Sequence, residues 1–134
     1  MARILLVGWD ERGPALTREL LERGHLVRAT ASTEAGAAAI EDAGAEAVTA
    51  DPDRLGTLLP HLQGVSAIAW LAGDSPRLEP LVETLVDTHV RGLVCHQGPG
   101  ADAARRVAAT SSVGFEAVAE PGAMAPALDR VLQI

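Results

Sequence analysis

Short apolar runs alternate with amphipathic stretches along this chain, and that alternation constrains its fold more than any other feature. The first run, Arg3–Val7, is almost entirely apolar, which is typical of a strand buried on both faces of a sheet. Leu16, Leu20 and Leu21 then recur at helical spacing after Pro14, a residue suited to the first turn of a helix. Later runs repeat this order, which predicts six strand–helix units.

The other predicted elements follow the same pattern. Further strands are predicted at 26–30, 45–49, 66–71, 92–95 and 115–119. Further helices are predicted at 34–43, 54–62, 101–109 and 124–132, with one more near Pro80. Strands that alternate with helices pair in parallel through right-handed crossovers. We therefore predict one α/β domain over residues 1–134, doubly wound, with six mostly parallel strands in the order 3-2-1-4-5-6 and helices on both faces.

The composition excludes several classes of function. All 11 basic residues are Arg, the 18 acidic residues give a net charge of −7, and the sequence contains neither Lys nor Tyr. Schiff-base chemistry, a phosphate-loop Lys and a phenolic general acid are therefore excluded. Nucleic-acid binding needs clustered cations, and Arg105 and Arg106 are the single adjacent pair, so we expect no nucleic-acid partner.

Cysteine content and hydropathy bear on the compartment. The single cysteine, Cys95, excludes an internal disulfide and is typical of a reducing compartment. The apolar run near the N-terminus is too short for a signal peptide, and no apolar stretch approaches the ~20 residues of a membrane span. We expect a soluble, cytoplasmic protein without a membrane partner. His, Cys and acidic spacings fit neither a zinc nor a calcium site, so no metal is expected.

Segments within the first 75 residues match one family pattern. They are RILLVG at 3–8, ALTRELLERGH at 15–25, VRAT at 27–30, AGAEAV at 43–48, ADPDRL at 50–55 and GVSAIAWLAG at 64–73. Together they resemble the cofactor half of atypical and extended short-chain dehydrogenase/reductases and their NmrA-like relatives. The resemblance implies a small Rossmann-like domain with NAD or NADP at the carboxyl edge of its sheet. It weakens after Gly73.

The glycine-rich turn departs from the family pattern, which commonly reads G-x-x-G-x-x-G. Gly8 keeps the first glycine and Gly13 stands near the last, but the middle glycine is missing and the turn is one residue short. The resemblance nevertheless implies cofactor contacts from Gly8, Trp9 and Gly13, and from Ala72 and Gly73 after the fourth strand.

Charge in this turn opposes a bound diphosphate. Asp10 and Glu11 place negative charge where the resemblance puts the diphosphate, against the favourable dipole of the following helix. Pro14 removes one backbone donor. Arg12 is the residue that would offset this charge by pairing with phosphate.

The exits of the second and third strands carry further candidates for the cofactor site. Thr30 and Ser32 offer hydroxyls to a phosphate or ribose, whereas Ser32 or Thr33 would otherwise cap the next helix. By the resemblance Asp51 faces adenine; its alternative role is turn chemistry before Pro52.

The strands that meet at the reversal of strand order carry both tryptophans. Trp9 follows the first strand and Trp70 closes the fourth. Two aromatic rings here would stack on a planar ligand, plug the crevice or form a dimer contact.

The family's catalytic Tyr–Lys pair has no counterpart, because the chain contains neither residue. The family's Ser or Thr after strand five is replaced by Cys95 and His96. His96 is the one candidate acid–base group at this edge. Neighbouring strand residues face opposite ways, so Cys95 is expected in the core rather than paired with His96.

Three functional hypotheses follow from these residues. The first is a non-catalytic module that binds or senses NAD(P) or another nucleotide. The second is a scaffold without cofactor that acts through homodimer or partner contacts. The third is an oxidoreductase or epimerase-like enzyme with a relocated catalyst near His96.

Overall fold

The computed structural model describes residues 2–133 and contains six strands. They are β1 (Arg3–Val7), β2 (Leu26–Ala31), β3 (Glu46–Thr49), β4 (Ala67–Trp70), β5 (Gly92–His96) and β6 (Gly114–Val118). All neighbouring pairs are parallel, and the order is β3-β2-β1-β4-β5-β6. The predicted fold class and strand order are confirmed.

Five α-helices cover the two faces of this sheet. They are α1 (Gly13–Glu22), α2 (Glu34–Asp42), α3 (Leu78–Leu85), α4 (Pro99–Ala108) and α5 (Met124–Leu132). Alternate residues of β1 enter two separate cores, so that Ile4 and Leu6 pack with α1, α2 and α5. Leu5 and Val7 pack on the opposite face with α3 and α4. No helix in residues 2–133 is both long and apolar enough to cross a membrane.

The helix predicted over 54–62 is wrong. This segment forms two short 3-10 helices, Leu55–Thr57 and Leu59–His61. Pro60 explains the interruption, because it lacks a backbone N–H and its ring clashes with the carbonyl four residues earlier in an α-helix. Leu58 is nevertheless fully buried against the second face of the sheet, so the segment keeps the packing role of a crossover helix.

The other predicted elements begin and end within about two residues of the observed ones, a typical uncertainty for boundaries. The helix near Pro80 was predicted to carry an apolar stripe of Leu81, Leu85 and Val86. Leu81 and Leu85 are buried, but Val86 lies just beyond α3 and is 45% exposed.

Candidate functional site

The carboxyl ends of all six strands meet at one edge of the sheet, because every pair is parallel. β1 lies between β2 and β4, and the chain leaves β1 and β4 toward opposite faces, to α1 and α3. Ligands of open α/β sheets bind in the crevice that forms at this reversal. The candidate site is therefore the group of loops that follow β1, β2, β4 and β5.

A cavity of about 190 Å³ opens where β1, β2 and β3 end. Gly8, Trp9, Thr30 and Ser32 line it, and these are four of the residues predicted to bind a cofactor. The volume lies below the ~300–1,000 Å³ of a typical small-molecule pocket, so the enclosed space holds only part of a dinucleotide. Each residue that lines it is uncharged.

Gly8, which follows β1, contacts Thr30 near the end of β2 and Ala72 just after β4. Its backbone N–H donates a 2.9 Å hydrogen bond to Oγ1 of Thr30, whose side chain is 2% exposed. Its φ of +92° is disfavoured for other residues, and a Cβ would lie 3.1–3.3 Å from Ala72. Gly8 is therefore required by the turn and by the close approach of Ala72, while the Thr30 hydroxyl ties β2 to this turn.

Thr33, rather than Ser32, caps α2. The Thr33 hydroxyl accepts a hydrogen bond of 3.0 Å from the backbone N–H of Gly36. Ser32 is exposed and lines the cavity. Ser32 is therefore not engaged in capping α2 and remains available at the cavity.

Asp51 takes part in the turn that follows β3. Its Oδ1 accepts a 2.9 Å hydrogen bond from the backbone N–H of Asp53, an arrangement typical of an Asx turn. Ala50 and Pro52, not Asp51, line the cavity on this side. Of the two roles considered for Asp51, the observed contacts support turn chemistry.

The two tryptophans do not share a wall of the cavity, because Trp9 lines it and Trp70 does not. Trp70 is 1% exposed, packs in the second core and donates from Nε1 to the carbonyl of Gly73 at 2.7 Å. Trp9 is half-buried and packs against the first core. The alternation of β4 explains the difference, because it directs Trp70 to the same face as Ile68.

The Trp9 ring covers Gly13 at the first turn of α1. A Cβ at Gly13 would lie 2.6–2.7 Å from three ring atoms of Trp9. This glycine therefore makes room for the protein's own indole ring. The resemblance implies instead that Gly13 contacts the cofactor.

Asp10 accepts hydrogen bonds from two backbone N–H groups at the start of α1. Its Oδ1 accepts from the backbone N–H of Arg12 at 2.9 Å, and its carbonyl accepts from the N–H of Gly13 at 3.0 Å. The same carboxylate accepts from Nε and Nη2 of Arg12. These hydrogen bonds lower the pKa of Asp10 and raise that of Arg12, so both are charged near neutral pH. Arg12, expected to pair with phosphate, neutralises Asp10 instead.

Arg12 also reaches His96 at the end of β5. Its Nη1 lies 2.8 Å from Nε2 of His96, and its Nη2 donates to the carbonyl of Leu71 at 2.8 Å. Because Arg only donates, Nε2 must accept, which assigns the ring proton to Nδ1. Burial and the Arg12 charge lower the pKa of His96, although a backbone hydrogen bond with Val118 and the Asp10 charge oppose the shift. The lone pair that a general base would use is therefore occupied.

Cys95 is fully buried in the second core, as predicted, and is separated from His96 by the alternation of β5. Burial raises the pKa of its thiol to about 12, so it is protonated at neutral pH. Within residues 2–133, no group of three or more His, Cys, Asp or Glu residues is arranged to hold a metal ion.

Asp74 is a residue of this edge that the sequence analysis missed. Its carboxylate accepts from the backbone N–H groups of Gly100 and Ala101, at 3.0 and 3.2 Å, in the first turn of α4. A Cβ at Gly98 would lie 2.5 Å from the Asp74 carboxylate. The closely spaced Gly98 and Gly100 were the available signal, since such a pair often marks a close approach of chain segments.

No protein-family model matches the sequence. No curated protein matches it. The fold is nevertheless shared with solved structures. A Bacillus halodurans protein assigned as an NAD-dependent epimerase/dehydratase has a TM-score of 0.70 and 16% identity, over 86% of this chain and 68% of its own. An NADPH-dependent quinone oxidoreductase of Escherichia coli has a TM-score of 0.63 and 18% identity, over 84% of this chain and 45% of its own.

Vestitone reductase from alfalfa has a TM-score of 0.59 and 16% identity, over 72% of this chain and 36% of its own. The chain thus spans less than half of the quinone oxidoreductase and of vestitone reductase. These similarities define the class by its fold: a Rossmann-like α/β domain, shared with these three proteins.

Proposed function

We propose that the chain is a nucleotide-binding or nucleotide-sensing module without reductase chemistry, whose site is the cavity at the ends of β1–β3. The observation that carries the proposal is the cavity itself, which lies at the carboxyl edge of the sheet, on the β2 side of the crevice where this fold class binds ligands. Trp9 offers an aromatic surface there and Ser32 offers a free hydroxyl, the groups that would contact a base and a ribose.

The non-catalytic part of the proposal rests on the residues themselves. The chain has no Tyr or Lys to relay a proton as short-chain reductases do. In His96, the remaining acid–base candidate, the Nε2 lone pair accepts a hydrogen bond from Arg12. A ligand held in the cavity would therefore be bound and released unchanged.

Binding is tested by thermal unfolding and Trp fluorescence with adenosine, AMP, NAD and NADP. A ligand at 100 times its Kd stabilises the native state by about 2.7 kcal/mol, which a melting experiment detects. Ser32→Leu, which fills the cavity from an exposed position, should abolish the shift, whereas Ser112→Leu, an exposed serine remote from the cavity residues, should not. Trp9→Phe should remove the fluorescence change while Trp70 remains. No response to any of the four compounds at millimolar concentration contradicts the proposal.

A second candidate function is a cofactor-free scaffold that acts through contacts with a partner or a second copy of the chain. It is favoured by one observation: Asp10 takes two backbone N–H groups at the start of α1, those of Arg12 and Gly13, where the resemblance puts a diphosphate. Sedimentation of the ligand-free chain separates the two candidates, because a scaffold that dimerises should sediment as a dimer whether or not nucleotide is added.

A further inference from the structure

The first turn of α1 offers few backbone donors to a ligand. Asp10 takes the N–H of Arg12 with its carboxylate and the N–H of Gly13 with its carbonyl. Pro14 has no N–H. A phosphate that bound here would have to displace a fixed carboxylate and would meet its negative charge.

At two other helices that begin at this edge, a side chain also accepts hydrogen bonds from backbone N–H groups of the first turn. Asp74 caps α4 through the N–H groups of Gly100 and Ala101. Thr33 caps α2 through the N–H of Gly36. At α1 and α4 a carboxylate stands where an anionic ligand would otherwise be favoured by the helix dipole.

Two arginines of this region, Arg12 in the turn after β1 and Arg28 on β2, are also engaged. Arg12 uses Nε and Nη2 for Asp10 and Nη1 for His96. On β2, Arg28 is held by Glu46 and by two backbone carbonyls of the segment before β4. The cavity wall itself consists of uncharged residues. A ligand that enters therefore meets hydroxyl groups, backbone and an indole ring, and no guanidinium belongs to the residues that line the cavity.

We propose that the cavity selects a neutral nucleoside, and that Asp10 is the specificity residue that excludes the diphosphate of a dinucleotide. The inference rests on the proposed function and names the ligand class of the same site. Replacing the Asp10 carboxylate by an amide keeps an acceptor for the Arg12 N–H. It removes the negative charge and frees Arg12 to pair with phosphate.

The experiment is isothermal titration of adenosine, AMP, ADP and NAD into three proteins: the natural chain, Asp10→Asn and Asp74→Asn. In the natural chain adenosine should bind about tenfold or more tighter than NAD. In Asp10→Asn the affinity for NAD should rise about tenfold or more, with adenosine unchanged within about twofold. Asp74→Asn is the matched control, since Asp74 also caps a helix at this edge but does so at α4, whereas Asp10 follows the lining residue Trp9 directly. The ratio of NAD affinity to adenosine affinity in Asp74→Asn should equal that of the natural chain.

Each outcome decides between the two proposals. The inference is overturned if NAD binds as tightly as adenosine to the natural chain. It is also overturned if the ratio of NAD affinity to adenosine affinity is the same in Asp10→Asn as in the natural chain. Either outcome leaves the proposed function standing. If the ratio of NAD affinity to adenosine affinity changes as much in Asp74→Asn as in Asp10→Asn, then Asp10 is not the specificity residue. Absence of binding by all four compounds in all three proteins overturns the proposed function, and the inference with it. Asp10→Ser, which also keeps an acceptor, serves as the second variant if Asp10→Asn does not fold.

Discussion

Arg12 Nη1 and His96 Nε2 lie 2.8 Å apart, although 84 positions separate the two residues in the chain. The contact joins the exit of β1 to the exit of β5 across the reversal of strand order. Because the same guanidinium holds Asp10, a carboxylate, a guanidinium and a neutral imidazole form one continuous network at the edge of the sheet. The charge state of each group therefore depends on the others.

The protonation of His96 should be measurably abnormal. Burial and the Arg12 charge lower the pKa of its imidazole below the ordinary 6.5. In Arg12→Gln the charge contribution disappears while the burial remains, so the pKa of His96 should rise. Nitrogen NMR of the ring against pH measures both values and also reports the tautomer, expected with its proton on Nδ1. A wild-type His96 that titrates at or above 6.5, or that carries its proton on Nε2, contradicts the assignment.

Folding stability should depend on pH through the same imidazole. A pKa that is lower in the native state than in the unfolded chain means that the unfolded chain binds more protons. The stabilising contribution is therefore complete above about pH 6.5 and is lost as the pH falls through the native pKa. The free energy of unfolding from urea titrations should decline less between pH 7 and 5 in His96→Gln, which keeps an acceptor for Arg12. Parallel declines in the two proteins would show that His96 does not contribute.

Cys95 should be chemically silent in the native protein. Its side chain has no exposed surface and burial raises the pKa of its thiol to about 12. Thiolates, not thiols, react with alkylating reagents. Modification by iodoacetamide at pH 8 should therefore proceed only through unfolding, and its rate should rise steeply once urea unfolds the chain. Rapid alkylation without denaturant would show that the thiol is accessible in the native state.

The fold could be predicted because the determining signals are local. Continuous apolar runs such as Arg3–Val7 specify strands buried on two faces, and helical spacing of leucines specifies the connections. The alternation of the two then leaves few topologies. The helix predicted over 54–62 was wrong because Pro60 interrupts it, and the segment forms two 3-10 helices instead.

For the candidate site, the sequence predicts which residues lie at the edge of the sheet but not which side chains contact one another. Which edge of the sheet matters follows from topology, and Gly8, Trp9, Thr30 and Ser32 do line a cavity there. What the sequence cannot specify is how side chains pair: Arg12 turned to Asp10 and His96 rather than to an open phosphate position. The burial of Trp70 was inferable, since it shares the alternation of Ile68 on the same strand.

Trp9 and Gly13 should behave as an energetically coupled pair. A Cβ at Gly13 would lie 2.6 Å from the Trp9 ring, so Gly13→Ala should cost about 1–3 kcal/mol of unfolding free energy, as overpacking does elsewhere. Gly56→Ala is the matched control, because nothing lies within 4 Å of its added methyl group. In a Trp9→Ala background the same Gly13→Ala change should cost much less, since the clashing ring is gone. Urea unfolding of the four proteins in this cycle gives the coupling energy, and a value near zero would mean that the ring does not rest on Gly13.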